Sequence, residues 1–112
     1  MPVVELFRAL GDPSRLEMVR RLSTGESHTL SSLSQGLEIT RQGARKHLQI
    51  LSDANLIILE PRGRDTAVRL DRDMLEEGRA FIAELENRWD KRLEALRRYV
   101  EDDATENPKQ MY

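Results

Sequence analysis

The stretch TLSSLSQGLEITRQGARKHLQIL, residues 29–51, constrains this chain more than any other. It reads as two short helices with a tight break between them. Thr29 is placed to cap the first. Leu30, Leu33 and Leu37 give that helix an apolar side, and Gly36 sits near its end. Thr40 is placed to cap the second, whose apolar residues Ala44, Leu48 and Leu51 recur at helical spacing. Two helices joined by a turn of a few residues form the helix-turn-helix, a unit used to read duplex DNA.

With Ala44, Leu48 and Leu51 facing inward, Gln42, Arg45, Lys46 and Gln49 face outward and Arg41 lies on the flank. Arginine and lysine neutralise phosphates or pair with guanine O6 and N7, and glutamine pairs with adenine N6 and N7. Residues 40–52 contain no acid, although the whole chain carries a formal charge of −2. The charge is unevenly spread: net −1 over residues 1–39, +3 over 40–72 and −4 over 73–112. A local positive field steers a polyanion to one face even when the total is negative. Gly43 lies inside the second helix at a cost of about 1 kcal/mol against alanine. A close approach to the DNA backbone or to a neighbouring helix accounts for it.

The rest of the chain extends this plan. Val3, Leu6, Phe7 and Leu10 give a short first helix an apolar face, and Gly11 ends it. Asp12 and Pro13 then open a second helix as cap and first residue, with Leu16, Val19 and Leu22 facing the core. After the helix pair, Asn55 suits a left-handed helix end. Residues 56–59 and 66–70 read as two strands around a turn with Gly63 near its tip. A hairpin directly after a reading helix is a wing, and Arg62 and Arg64 flank its tip, where phosphates or a minor groove come within reach. Asp71 caps a last helix over about residues 72–100. Its Ile82, Leu85, Trp89, Leu93, Leu96 and Val100 step by three and four. That stripe is longer than a small domain covers by itself, so it reads as a dimer seam shared with the first helix. Residues 1–101 thus form one domain, mainly α with a minor β part, and residues 102–112 an acidic, flexible tail.

Other chemistries find little support. Cysteine is absent, which removes disulfides, thiolate metal sites and cysteine nucleophiles. The two histidines, His28 and His47, lack metal-ligand spacing, so no metal and no cofactor are expected. No nucleophile elbow, P-loop or dinucleotide fingerprint occurs, and an enzyme is not expected. No apolar run approaches the ~20 residues of a membrane span, and the start of the chain lacks the pattern of a signal peptide. A cytoplasmic protein fits these features.

Three segments resemble a known family. ALGDPSRLEMVRRL, residues 9–22, is similar to the opening ALADPTRLRILxLL of the ArsR/SmtB winged-helix repressors. LSSLSQGLEITRQGARKHLQILSDANLI, residues 30–57, is similar to their xELAxxLGISQSTVSRHLKVLxEAGLV, and Arg62-Gly63-Arg64 fits their wing tip. The resemblance implies a winged helix-turn-helix with a two-stranded wing and a long C-terminal dimerisation helix. It implies a homodimeric repressor on an inverted-repeat operator in double-stranded DNA. Thr40, Arg41, Gln42, Gly43, Arg45, Lys46 and His47 fall on the family's contact segment. By pattern, Gln49, Arg62 and Arg64 join them. It also implies an interface from the first and last helices, here Val3, Leu6, Phe7, Ile82, Leu85, Trp89, Leu93, Leu96 and Val100.

Departures are informative. Thr29 and Ser31 stand where metal-sensing members carry a Cys-x-Cys pair, and the last helix has no histidine. The segment Trp89-Asp90-x-Arg92-Leu93 resembles a metal-independent branch. A small-molecule effector is left open, with a pocket near Trp89 as its place. The alternative to a DNA-binding regulator is a winged-helix module that binds a partner protein through its long helix or wing.

Overall fold

The computed structural model describes residues 1–106. The order of elements is α1 (Pro2–Leu10), α2 (Pro13–Leu22), β1 (His28–Thr29), α3 (Leu30–Ser34), α4 (Arg41–Asp53), β2 (Ile57–Arg62), β3 (Asp65–Leu70) and α5 (Arg72–Glu106). The three strands make one antiparallel sheet in the order β1-β3-β2. The chain divides into two units, one over Met1–Gly78 and one from Arg79 onward.

In the first unit, local chemistry sets each boundary. The Asp12 carboxylate accepts from the amides of Ser14 at 2.9 Å and Arg15 at 3.1 Å, which fixes the start of α2 with Pro13 at its first position. Those contacts, the Arg15 amide first, hold the Asp12 carboxyl below its ordinary pKa, and the charge of Arg15 adds to the effect. Thr29 and Ser32 form a capping box at α3, and the Thr40 hydroxyl accepts from the Gly43 amide at 2.9 Å to start α4. Asn55, at φ +61°, takes the left-handed turn after α4, and the Leu56 amide returns to the Leu51 carbonyl at 3.0 Å. The core gathers Leu6, Met18, Leu33, Leu48, Leu51 and Leu56, all essentially inaccessible.

Several expectations are corrected. The helix before the turn ends at Ser34, short of Leu37, because Gly36 and Glu38 both adopt positive φ and no α-helix passes through them. The wing is the expected two-stranded hairpin, but its sheet has a short third strand that was not expected, with His28 paired to Val68 and Thr29 to Ala67. Leu16 is 54% exposed and Met18 fills the inward position of α2 instead. Val3 at 7% and Leu6 at 1% exposure are buried inside the chain, so neither is available to a second protomer; Val4 and Phe7 are the exposed apolar residues of α1. A Cβ built on Gly78 would run into the Leu6 side chain, so this glycine lets the first turns of α5 lie close to α1.

The second unit is the continuation of α5. The helix has 35 residues and reaches Glu106, six beyond the expected end. At 1.5 Å per residue it is about 52 Å long. The expected flexible tail therefore starts as helix, and its last six residues lie outside the described ones. Ile82, Leu85, Trp89, Leu93, Leu96, Tyr99 and Val100 are all exposed, Trp89 at 60%.

Candidate nucleic-acid interface

Helix α4 turns Ala44, Leu48 and Leu51 into the core, which leaves Arg41, Gln42, Arg45, Lys46 and Gln49 exposed. Thr40 is exposed at the cap, and Gly43 and His47 are half-buried. The wing follows from strand register. Leu59 pairs with Val68, Pro61 with Thr66 and Arg62 with Asp65, leaving Gly63 and Arg64 as a two-residue loop. Gly63, at φ +61°, stands first in that loop, where tight hairpins place glycine. Pro61 is tolerated because β2 is an edge strand. Arg62 and Arg64 are both exposed.

The cations sort into two groups by partner. Away from α4 and the wing tip most are neutralised by a neighbour: Arg8 by Glu5, Arg20 and Arg21 by Glu17, Arg69 by Glu60, Arg88 by Glu84, Arg97 and Arg98 by Glu94. The side chains of Arg45, Lys46, Arg62 and Arg64 make no ion pair or hydrogen bond with the described residues. Only Arg72, Lys91 and Arg92 share that state among the described residues.

The other expected contact residues are partly engaged. Arg41 donates to the Ser31 hydroxyl at 2.9 Å and stands 3.7 Å from the Asp65 carboxylate, so it ties the start of α4 to the wing. Asp65 is held below its ordinary pKa by the Thr66 amide first, then by the hydroxyls of Ser31 and Thr29 and the Arg41 charge. Thr29 and Ser31 thus carry hydroxyls that act on Asp65. The Gln49 amide donates to Asp53 at 2.9 Å, which puts an acid on the last turn of the outward face. The bare positive surface is therefore the first two turns of α4. Gly43 has a nearer neighbour than any ligand: a Cβ there would lie 3.2 Å from the Thr40 cap hydroxyl. His47 is held from behind, its Nδ1 3.1 Å from the Arg15 guanidinium. Sequence reasoning missed that contact, which joins residues 32 positions apart.

No group of three or more His, Asp or Glu side chains among the described residues converges as a metal site would require. No helix among them is long and apolar enough to cross a membrane. A half-open groove of about 580 Å³ is lined by Leu22, His28, Arg62, Val68, Arg72 and Leu75, among others.

A capped helix pair, its second helix basic and outward, followed by a basic-tipped hairpin, defines the winged helix-turn-helix class of DNA-binding regulators. Known proteins narrow this. Residues 10–60 match the family model described as a helix-turn-helix domain. The chain is 37% identical over 65 residues to the uncharacterized HTH-type transcriptional regulator YuzN of Bacillus subtilis (strain 168), covering 53% of this chain and 71% of that protein. It is 39% identical over 57 residues to the arsenical resistance operon repressor of the same organism, covering 51% of this chain and just over half, 54%, of the repressor. Among solved structures, an ArsR-like transcriptional regulator from Rhodococcus sp. RHA1 superposes with a TM-score of 0.72 at 28% identity, over 87% of this chain and 91% of that one. The crystal structure of another ArsR family regulator gives 0.74 at 27% identity, over 80% and 91%. The chain belongs to the HTH-type transcriptional regulators, and its fold is that of solved structures described as ArsR-family regulators. It is a DNA-binding regulator.

Proposed function

We propose that the protein is a homodimeric, cytoplasmic repressor that binds an inverted-repeat operator. Each protomer puts the first two turns of α4 into a major groove and rests its wing on the flanking backbone or minor groove. One observation carries this reading: four of the seven described cations without partners, Arg45, Lys46, Arg62 and Arg64, lie on the outward face of α4 and at the wing tip. Arg45, Lys46 and Gln42 are assigned to bases and phosphates, Arg62 and Arg64 to the backbone. Thr40, Gly43 and His47 sit beside them, while Arg41 and Gln49 first have to release Ser31 and Asp53. The exposed stripe from Ile82 to Val100 supports the dimer, with Phe7 and Val4 contributing from α1. An apolar helix face of this length is stabilised by a second copy. Two-fold symmetry then requires half-sites about one helical turn, or a multiple, apart. The half-open groove described above has the size of a small-molecule effector site.

Light scattering on the purified chain and fluorescence anisotropy with the DNA upstream of its own gene test both halves. The expected result is a dimer that binds one fragment containing an inverted repeat and prefers it to scrambled DNA. A monomer, or equal affinity for every duplex, overturns the proposal.

A further inference from the structure

Pro13 occupies the position four residues beyond Ala9, where a helix would supply an amide donor, and proline has none. α1 ends at Leu10 and Asp12 is extended, so the Ala9 carbonyl in its last turn has no intrahelical donor in any case. Arg15 supplies one: the guanidinium Nε donates to the Ala9 carbonyl at 2.6 Å. The same guanidinium reaches His47 on α4, with the terminal nitrogen 3.1 Å from Nδ1. A guanidinium only donates, so Nδ1 accepts and the imidazole carries its proton on Nε2. Asp12 completes the arrangement from behind. Its carboxylate is 3.9 Å from His47 Nδ1, beyond hydrogen-bond range, and is taken up by the amides of Ser14 and Arg15.

We propose that Arg15 is a positioning residue for DNA reading: it seats α4 by clamping His47 to the end of α1, and it touches no DNA itself. The proposal rests on the reading of α4 as the recognition helix. The side chains of Arg45 and Lys46 immediately precede His47, so the azimuth of α4 at His47 sets where they end. A roll of about 10° displaces a side-chain tip some 6 Å from the helix axis by about 1 Å. That displacement is as large as the tolerance of a hydrogen bond to a base edge. Lysine cannot replace the fork, because one ammonium does not span two acceptors held at different angles. In this reading the Asp-Pro-Ser-Arg segment works as a unit. Aspartate caps the next helix with proline at its first position, and arginine uses the free end of α1 to fix a helix more than thirty residues away.

The test compares Arg15→Lys, Arg15→Ala, His47→Gln and His47→Leu in the full chain. Hydrogen exchange of residues 41–53 is measured without DNA, and anisotropy is measured with a duplex from upstream of its own gene over a range of salt. The expected result for both Arg15 variants is faster exchange in α4 with β2 and β3 unchanged. Affinity falls about tenfold while the salt slope stays that of the parent chain. In exchange of α4 without DNA, His47→Gln, which keeps an acceptor, stays close to the parent; His47→Leu matches Arg15→Ala; and the variant combining Arg15→Ala with His47→Leu exchanges no faster than either single one. A slope shallower by about 0.9 per protomer would make Arg15 a phosphate contact and overturn the proposal. Unchanged exchange in α4 overturns it whatever the DNA result. If the parent chain binds no duplex, the assignment of α4 as reader fails, and the exchange data still decide whether Arg15 seats the helix.

Discussion

The sharpest consequence of the cation arrangement concerns salt. Replacing Arg62 and Arg64 together by glutamine removes the wing's two unpartnered guanidinium groups and leaves hairpin pairing intact, since neither side chain bonds within the described chain. A dimer loses four such charges. Each phosphate neutralised by a protein cation contributes about 0.9 to the slope of log affinity against log salt. The double variant therefore has a slope shallower by up to about 3.6. Between 50 and 200 mM salt the parent chain loses about 150-fold more affinity than the variant. Arg20→Gln is the control: Arg20 is also an exposed arginine, but its guanidinium is 2.7 Å from Glu17, so its loss leaves the slope unchanged. Anisotropy titrations at four or five salt concentrations on one labelled duplex read all three slopes. Equal slopes for parent and double variant, or an equal change in Arg20→Gln, refute the assignment of the unpartnered wing cations to phosphate.

Other expectations are as direct. Asp12→Ala removes the α2 cap and lowers stability by about 1 kcal/mol in urea unfolding at neutral pH. Because the folded-state pKa of Asp12 is depressed, its contribution is present above the unfolded value and is lost as pH falls through the folded one. The gap between parent and variant therefore narrows below about pH 4. Leu93→Glu places a charge in the apolar stripe of α5 and shifts the dimer to monomer in light scattering; a variant that stays dimeric removes α5 from the interface. Gly78→Ala gains about 1 kcal/mol of helix propensity but overpacks Leu6, which is buried, at a cost of about 1–3 kcal/mol. The urea midpoint is expected to fall or stay level, and a clear rise contradicts the packing argument.

What was legible in the sequence follows the range of the forces involved. The caps of Thr29, Thr40 and Asp12, the left-handed Asn55 and the Gly63 turn act within four residues, and each is where local chemistry puts it. The inward set of α4 was equally plain, because Ala44, Leu48 and Leu51 allow one orientation. Contacts across the fold were not. A two-residue strand such as β1 has no periodicity of its own and exists because β3 lies beside it. Leu16 and Met18 both suit an apolar position, and only the packing of α2 selects methionine. Val3 and Leu6 read as a seam on an isolated helix, but the chain's own core takes them first. The grip of Arg15 on His47, and the engagement of Arg41 and Gln49 with Ser31 and Asp53, need three dimensions to be seen.

The short strand β1 and the link from Arg41 to Asp65 bear on how the protein measures its target. A hairpin held along one edge and moored next to its tip to the start of α4 is not a loose flap. The distance from helix to tip is then a property of the free protein, carried to the duplex like a gauge of set width. Such a gauge tolerates substitutions at bases it never reaches. It does not tolerate a base pair inserted between the two places where it touches.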